Sequence, residues 1–513
     1  MTGLTLTVRD SIDSRVQYFF GTQITYLSIF SWEVDYRFDA LSSEVTSPVL
    51  SGLAVGLLEV RALARELELT DALIVERADG VCHVIRGGAS NFPLYYSSDA
   101  GRLQISTHLP ISGSSALSRE GLLEALASSS MPGCYELNGL TQTPLRGWQR
   151  IKRGCITTFE RGEKVREQVI DYSEGLMLND LSFDHVAKDL VSAFDRYGSL
   201  QSHSLPSSVE LSGGIDSTIS ISAAQVDNRS VTGISVEFPY YEFRYEAEVQ
   251  RETAKDLGIR REVVDGVCVL PYSPWSKPPV FDEPNLFITG MRHAEEVVRT
   301  SAHYGSKVLY IGHGGDQLFS TDLTELEPFS RRPCKGPFSN QVFAFVNGKS
   351  AELEHATYRH RTSGCFVYDG RQDVWAKELF GVTPRTPFTD LAVFKSAIKW
   401  SKHTAALGIK PNKTILTQSL RNRFPTAVIE RKGKVAYDGV WMRGYENNLD
   451  WIIHTIEMSS EILEHLGLSV KWLSGRARDL SARKTLCDDE LISAFSLSSW
   501  LNSWNITDKK CIV

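Results

Sequence analysis

Two stretches of this chain run an apolar segment into glycines and a single carboxylate, and both have the residue types of a polyphosphate site. The first is SVELSGGIDSTISISAAQ, residues 208–225. There Gly213 and Gly214 let the backbone turn sharply and let a ligand approach it closely. The unpaired first-turn amides of the helix expected to follow would attract an anion. Ser212 and Ser217 add hydroxyl donors on either side. Asp216 would repel a phosphate unless it held a divalent cation that the phosphate also bound, so the stretch reads as a nucleotide site that needs a metal. No Lys-Ser/Thr pair follows the glycines, so it is not the common loop that cradles a γ-phosphate. The second stretch is SKVLYIGHGGDQLFS, residues 306–320, with Gly312, Gly314 and Gly315 freeing the turn and Asp316 standing where Asp216 stands in the first. Were the two preceding strands neighbours in one sheet, both aspartates could serve one magnesium ion; spacing alone leaves that open.

A third region supplies cations. Arg385 and Asp390 bracket a Pro-Phe turn ahead of a helical pattern, where Asp390 can also act as a simple N-terminal charge. Lys432 and Lys434 lie in a glycine-containing turn near Asp438. A lysine there is ordinarily a solvated surface residue. An acyl transfer that consumes ATP, however, needs a cation over the charge that develops on the adenylate and on the tetrahedral intermediate.

The elements that must position these residues fall into two grammars. Up to about residue 170 the chain shows short alternating runs broken by turn residues. Hairpins are expected around Ala78-Asp79-Gly80 and Asp99-Ala100-Gly101, and helices over 49–69 and 118–129, with Ser118 as the N-cap of the latter. This is the pattern of an α+β sandwich of antiparallel sheets. Beyond it come an amphipathic helix over 183–198 stopped at Gly198, the first glycine loop, a strand over 230–238, a helix over 245–258 and a strand over 261–266. Alternation of helices with continuous apolar strands implies a parallel sheet covered on both faces, whose ligands bind beyond the carboxyl ends of the strands. We place the boundary near residue 172, giving domains over 1–172 and 173–513.

Composition sets the outer limits. The 513 residues are 42% hydrophobic and 23% charged, as in ordinary globular chains long enough for two or three domains. A formal net charge of -7 gives no general attraction to nucleic acid or to anionic membrane. The opening MTGLTLTVRDSIDSRVQYFF lacks the basic and apolar halves of a secretory signal, and no run is long enough to span a bilayer. Eight scattered cysteines without a C-x-x-C pair suit free thiols in a reducing cytoplasm and argue against zinc.

Taken together, these motifs resemble the asparagine synthetase superfamily. LSGGIDS is similar to its pyrophosphatase loop, YEAEVQRETAKDLG to the helix that follows with Glu246 at its acidic position, IGHGGDQLF to its second metal loop, and RTPFTD to a downstream segment. PLYYSSDAGRLQISTHL and PGCYELNGLTQTPLRGWQRIKRG resemble the sandwich half of glutamine-hydrolysing members. The fold implied is α/β: a glutaminase-like α+β sandwich domain, then a pyrophosphatase-type synthetase domain with a parallel sheet and C-terminal helices.

The departures narrow the choice. The chain begins Met1-Thr2 where glutamine-dependent members carry a nucleophilic cysteine, so glutaminase chemistry is not expected. His313 and Gln317 stand where asparagine synthetases usually have glutamates. The segment RKGKVAYDGVWMRG is similar to the Thr-Lys-Gly motif of the lasso peptide macrolactam synthetases, the cyclases of microcin-type systems, with Lys432 and Asp438 in register and Arg431 replacing the threonine. That resemblance implies an AMP-forming ligase that binds ATP through Ser212, Gly213, Gly214, Asp216, Ser217, Gly314 and Gly315, holds Mg2+ with Asp216 and Asp316, and uses Lys432 or Lys434 with Asp438 in catalysis. It implies adenylation of a Glu or Asp side chain of a precursor peptide, attack by the peptide's own N-terminal amine, and a leader-peptide protease as partner. The rival readings are a β-lactam synthetase, an ammonia-dependent asparagine synthetase, and a non-catalytic scaffold for precursor and protease.

Overall fold

The computed structural model describes residues 4–7, 13–19, 22–28 and 57–512, apart from 68, 77–80, 91–92, 100–101, 114, 130–140, 162, 177–181, 201–204, 226–229, 277–279, 321–322, 324–335, 360, 365–370, 432, 434–436 and 484–488. Among the described residues the first part of the chain carries β1 (Leu4–Thr7), β2 (Asp13–Phe19), β3 (Thr22–Ser28), β4 (Ala72–Glu76), β5 (Val81–Arg86), β6 (Tyr95–Asp99), β7 (Arg102–Ser106), β8 (Gln149–Arg150), β9 (Cys155–Glu160) and β10 (Glu163–Val169). They form a sheet in the order β10-β9-β5-β4-β3-β2 and another in the order β1-β7-β6-β8.

Both expected hairpins form, β4 pairing antiparallel with β5 and β6 with β7. The inward residues of the two sheets interleave in one cluster, with Ile74, Val84 and Phe159 from one meeting Tyr96, Leu103 and Ile105 from the other. Tyr96 and Phe159 meet edge to face at 4.9 Å between ring centres. This alternation of buried and outward side chains is what two facing antiparallel sheets require. The helix expected over 49–69 is found as Leu57–Glu66, its first residues lying outside the described ones. The helix Arg119–Ser129 begins where expected, and the Ser118 hydroxyl accepts the Gly121 amide at 3.1 Å. None of the described cysteines, Cys82, Cys155, Cys268 and Cys511, is in a disulfide.

The second part is a five-stranded sheet of β11 (Ser207–Glu210), β12 (Val231–Glu237), β13 (Arg260–Asp265), β14 (Val308–Tyr310) and β15 (Thr383–Arg385) in the order β13-β12-β11-β14-β15. Every neighbouring pair is parallel. The helix Phe183–Leu200 precedes β11 and runs through Gly198 instead of stopping there. Glycine inside a helix costs about 1 kcal/mol relative to alanine. The burial of Tyr197 against Val209, Ile221 and Tyr310 offsets it.

The helices Leu449–Glu457, Ser460–Leu466, Val470–Ser481 and Asp489–Ser503 form a C-terminal cluster that shares one apolar core with the helices around the parallel sheet and with Leu122, Leu123 and Leu126 of the first part. A buried ion pair, Arg150 with Glu283, and a backbone hydrogen bond from Leu117 to the Cys511 carbonyl at 2.6 Å join the two parts. Among the described residues no helix is long and apolar enough to cross a membrane.

Candidate active site

The site sits at the carboxyl ends of β11 and β14, which lie side by side with Ser207 opposite Val308. This adjacency answers the question the sequence left open, because each strand leads into one of the two glycine loops. After β11 the chain turns at Gly213, whose φ of 70° is left-handed, and enters the helix Ile215–Ala224. A side chain at 213 would also press on Val249 Cγ1 at 3.0 Å. Gly214 is the helix cap and has no side chain to bond the first-turn amides, which lie beside the Ser212 and Ser217 hydroxyls. Ser212 donates to Ser217 at 3.1 Å, and Ser217 donates to the Gly214 carbonyl at 3.0 Å, which fixes both hydroxyls at the turn.

The second loop packs directly on the first. A Cβ at Gly312 would meet the Ser217 amide at 2.9 Å, and one at Gly315 would meet the Asp216 carboxyl carbon at 2.4 Å. Gly314 turns the chain at a φ of 100° into the short helix Gly315–Phe319. Ser220 donates across the gap to the Ile311 carbonyl at 2.9 Å. The β15 side adds a further tie, since Ile311 donates its amide to the Arg385 carbonyl at 2.8 Å and Thr386 donates its hydroxyl to the His313 carbonyl at 2.6 Å.

This packing brings Asp216 and Asp316 to one point, which Lys413 occupies. Its Nζ lies 2.5 Å from Asp216 Oδ2 and 2.6 Å from Asp316 Oδ1. Lys413 caps the helix Thr414–Ser419, far from either loop in sequence, and a lysine with no glycine or carboxylate near it carries no local signature. An ammonium seated between two carboxylates shows that this point takes a cation; a pair of carboxylates completed by phosphate oxygens and water could also hold magnesium.

Arg431 clamps the other flank. Its guanidinium donates to the Gly213 carbonyl at 2.9 Å and to the Gly433 carbonyl at 3.0 Å, and pairs with the buried Glu246. The residue that replaces the motif threonine thus ties Gly433 and its own backbone to the phosphate loop. Lys432 and Lys434 lie outside the described residues. Asp438 is exposed in the first turn of the helix Asp438–Asn447, a favourable place for a carboxylate. Asp390 proves to be a cap, accepting the Ala392 and Val393 amides at 2.9 and 3.1 Å and pairing with Arg196 at 3.1 Å.

A second group of titratable residues lines the cleft. Glu210 ends β11 and accepts a hydrogen bond from His293 Nε2 at 3.0 Å. Burial pushes the Glu210 carboxyl up, but the His293 hydrogen bond and the charges of His293 and His313 outweigh it and hold the carboxyl below the usual range. His313 is exposed on its loop, yet desolvation by its neighbours holds it below the ordinary histidine value against the opposing pull of Glu210. Burial, then Glu246 and Glu210, push the Tyr437 phenol up to about 12. Near neutral pH the group therefore holds an ionised Glu210 and a neutral Tyr437.

Residues 200–378 match the family model described as asparagine synthase, about a third of the chain and including both glycine loops. Lys413 and Arg431 lie beyond the matched segment. No curated protein matches the chain. Among solved structures the U34-tRNA thiolase NcsA from Methanococcus maripaludis with its [4Fe-4S] cluster is similar at 10% identity over 47% of this chain and 89% of that one, with a TM-score of 0.21. A likeness that distant carries no argument here. The family match, joined to the two converging loops, identifies the chain as an ATP-dependent, AMP-forming ligase that makes amide bonds.

Proposed function

We propose that this ligase closes a macrolactam ring on a lasso precursor peptide. The observation that carries the adenylating half is the convergence of Asp216 and Asp316, from loops on adjacent parallel strands, onto the Lys413 ammonium. The ring-closing half rests on the RKGKVAYDGVWMRG segment and on the His313 and Gln317 form of the second loop, which depart from an aspartate pocket.

The first-turn amides of the helix Ile215–Ala224, with Ser212 and Ser217, hold the phosphates. A Glu or Asp side-chain oxygen of the peptide attacks the α-phosphorus, the bond to the bridging oxygen breaks, and pyrophosphate leaves. Lys413 balances the charge that develops on the departing phosphates. Magnesium held by Asp216 and Asp316 would neutralise phosphate charge in the same place. The N-terminal amine then attacks the acyl carbon, the bond to AMP breaks, and an isopeptide ring remains. Holding both ends of one peptide in the cleft replaces a bimolecular encounter, which is worth up to about 7–11 kcal/mol.

In this reading residues 1–172 are a glutaminase-like sandwich that braces the synthetase domain over 173–513. The partners are the precursor peptide and the protease that frees its amine. By the motif resemblance, Lys432 or Lys434 would supply a further cation for the tetrahedral intermediate, with Asp438 as the motif aspartate.

The test is mass spectrometry of nucleotide and peptide products after incubation with magnesium-ATP, a lasso precursor and its leader protease, beside an Asp216→Ala control. AMP together with a peptide lighter by one water, both lost in the control, is the expected result. Formation of asparagine from aspartate and ammonium with the peptide untouched, or exchange of pyrophosphate only with a small diacid, refutes the macrolactam reading in favour of a relative with another acceptor.

A further inference from the structure

Glu210 is an anion in the wrong place for a protein that only binds ATP. It closes β11 immediately before Leu211 and Ser212, on the central strand that delivers the phosphate loop. A fixed carboxylate there repels the triphosphate that the loop is built to attract. Its neighbours do not cancel it by pairing on both oxygens. His293, in the first turn of the helix Met291–His303, bonds Oε1 at 3.0 Å, and among the described residues no other side chain hydrogen-bonds or ion-pairs with Glu210. The side chain is 30% exposed, so Glu210 is only half-buried and remains accessible at the strand end. The remaining titratable groups around it are His313, from the second loop, and Tyr437, from the segment that Arg431 clamps. Phe287 packs against the His313 ring at 6.2 Å between centres and gives that side of the cleft an apolar wall.

A half-buried carboxylate bonded through one oxygen only asks for a cation. A metal ion is the weaker candidate, because among the described residues no three His, Cys, Asp or Glu side chains converge in a way that would hold one. An organic ammonium needs less: one carboxylate, a few neutral acceptors and an apolar wall for the carbon that bears it. The cluster supplies each of these.

We propose that Glu210, aimed by its hydrogen bond to His293, captures the acceptor's primary amine as an ammonium ion and presents it to the acyl-adenylate. This rests on the amide-forming reading above and names the group that selects an amine-bearing acceptor over water. The captured ammonium first gives one proton to the His313 imidazole. The free amine attacks the acyl carbon, the C–N bond forms, the C–O bond to AMP breaks, and the second nitrogen proton leaves to a phosphate oxygen of the departing AMP. Glu210 and His293 act by positioning throughout, so their loss separates the two half-reactions.

The experiment uses the full chain with Glu210→Gln, which keeps an oxygen for the His293 bond but removes the charge. Three rates are compared with the unaltered protein: pyrophosphate exchange into ATP with the precursor peptide, capture of the acyl-adenylate by hydroxylamine, and ring closure. Hydroxylamine is neutral at neutral pH and needs no carboxylate to dock. Ring closure is expected to fall roughly 10- to 100-fold, the worth of one hydrogen bond to a charged group, with exchange and hydroxamate formation falling less than about threefold. Glu210→Asp recovers part of the loss, and His293→Asn gives a smaller loss of the same kind.

Unchanged ring closure in Glu210→Gln overturns the proposal. So does an equal fall in all three rates, which would assign Glu210 to adenylation or to the fold. Absence of exchange with any peptide in the unaltered protein strikes the macrolactam reading instead, and the amine site is then judged by NMR with glycinamide as probe. Shifts of the His293 ring signals that vanish in Glu210→Gln support the site, and no shift refutes it.

Discussion

Gly315→Ala isolates the claim that the two loops must touch. Gly315 has ordinary helical angles, so alanine there brings no backbone strain and would by helix propensity alone stabilise the chain by up to about 1 kcal/mol. Its Cβ, however, would stand 2.4 Å from both Cγ and Oδ1 of Asp216, where ordinary contact begins near 3.4 Å. The loops must therefore part by about 1 Å, or Asp216 must leave the point it shares with Asp316 and Lys413. Displacements of that size cost on the order of 100-fold in rate at a reacting centre, about 2.7 kcal/mol of barrier. Overpacking costs about 1–3 kcal/mol of stability, partly offset by the propensity gain. The assay pairs pyrophosphate exchange into ATP with urea denaturation. Gly475→Ala is the control, since a Cβ there meets nothing within 4 Å in the helix Val470–Ser481, and it should gain stability with exchange unchanged. Exchange within about threefold of the unaltered protein in Gly315→Ala would refute the reasoning, because the loops would then tolerate a separation that the packing forbids.

Further outcomes follow from the same geometry. Arg431→Ala removes the guanidinium that pairs with the buried Glu246 and should cost about 3–5 kcal/mol by denaturation; adding Glu246→Gln should restore much of that. Arg431→Lys should recover only part, because an ammonium cannot reach Gly213, Gly433 and Glu246 together. Lys413→Met removes the cation between Asp216 and Asp316, so magnesium should raise the Tm of this variant more than that of the unaltered protein; equal shifts would mean the aspartates do not share a cation. Desolvation holds His313 below its unfolded value of about 6.5, so the unfolded chain binds the proton first and stability should fall as pH drops below that point. The groups facing it are Glu210 and His293, and His313→Gln should flatten this fall in urea titrations; an unaltered pH profile would place the titration elsewhere.

Much of the site was legible because its chemistry is local. A turn that needs a left-handed residue at 213, a helix that needs bare first-turn amides, and a carboxylate two residues past the turn all lie within seven positions of one strand end. The same holds for the β4–β5 and β6–β7 hairpins and for the Ser118 cap, each set by side chains a few residues apart. The expected stop at Gly198 failed for the opposite reason, since the burial of Tyr197 against the sheet outweighs what glycine prefers by itself.

By itself the sequence determined the two glycine loops, the strand and helix grammar that puts them at strand ends, and the class of chemistry they support. Tertiary structure decided the rest. Sheet order made β11 and β14 neighbours, which turned two separate aspartates into one cation site. Chain folding brought Lys413 and Arg431 to loops about two hundred positions away, and it set Glu210 against His293 and His313. Contacts of that separation leave no trace in local pattern, because their energy comes from charge and packing that exist only after the sheet has formed.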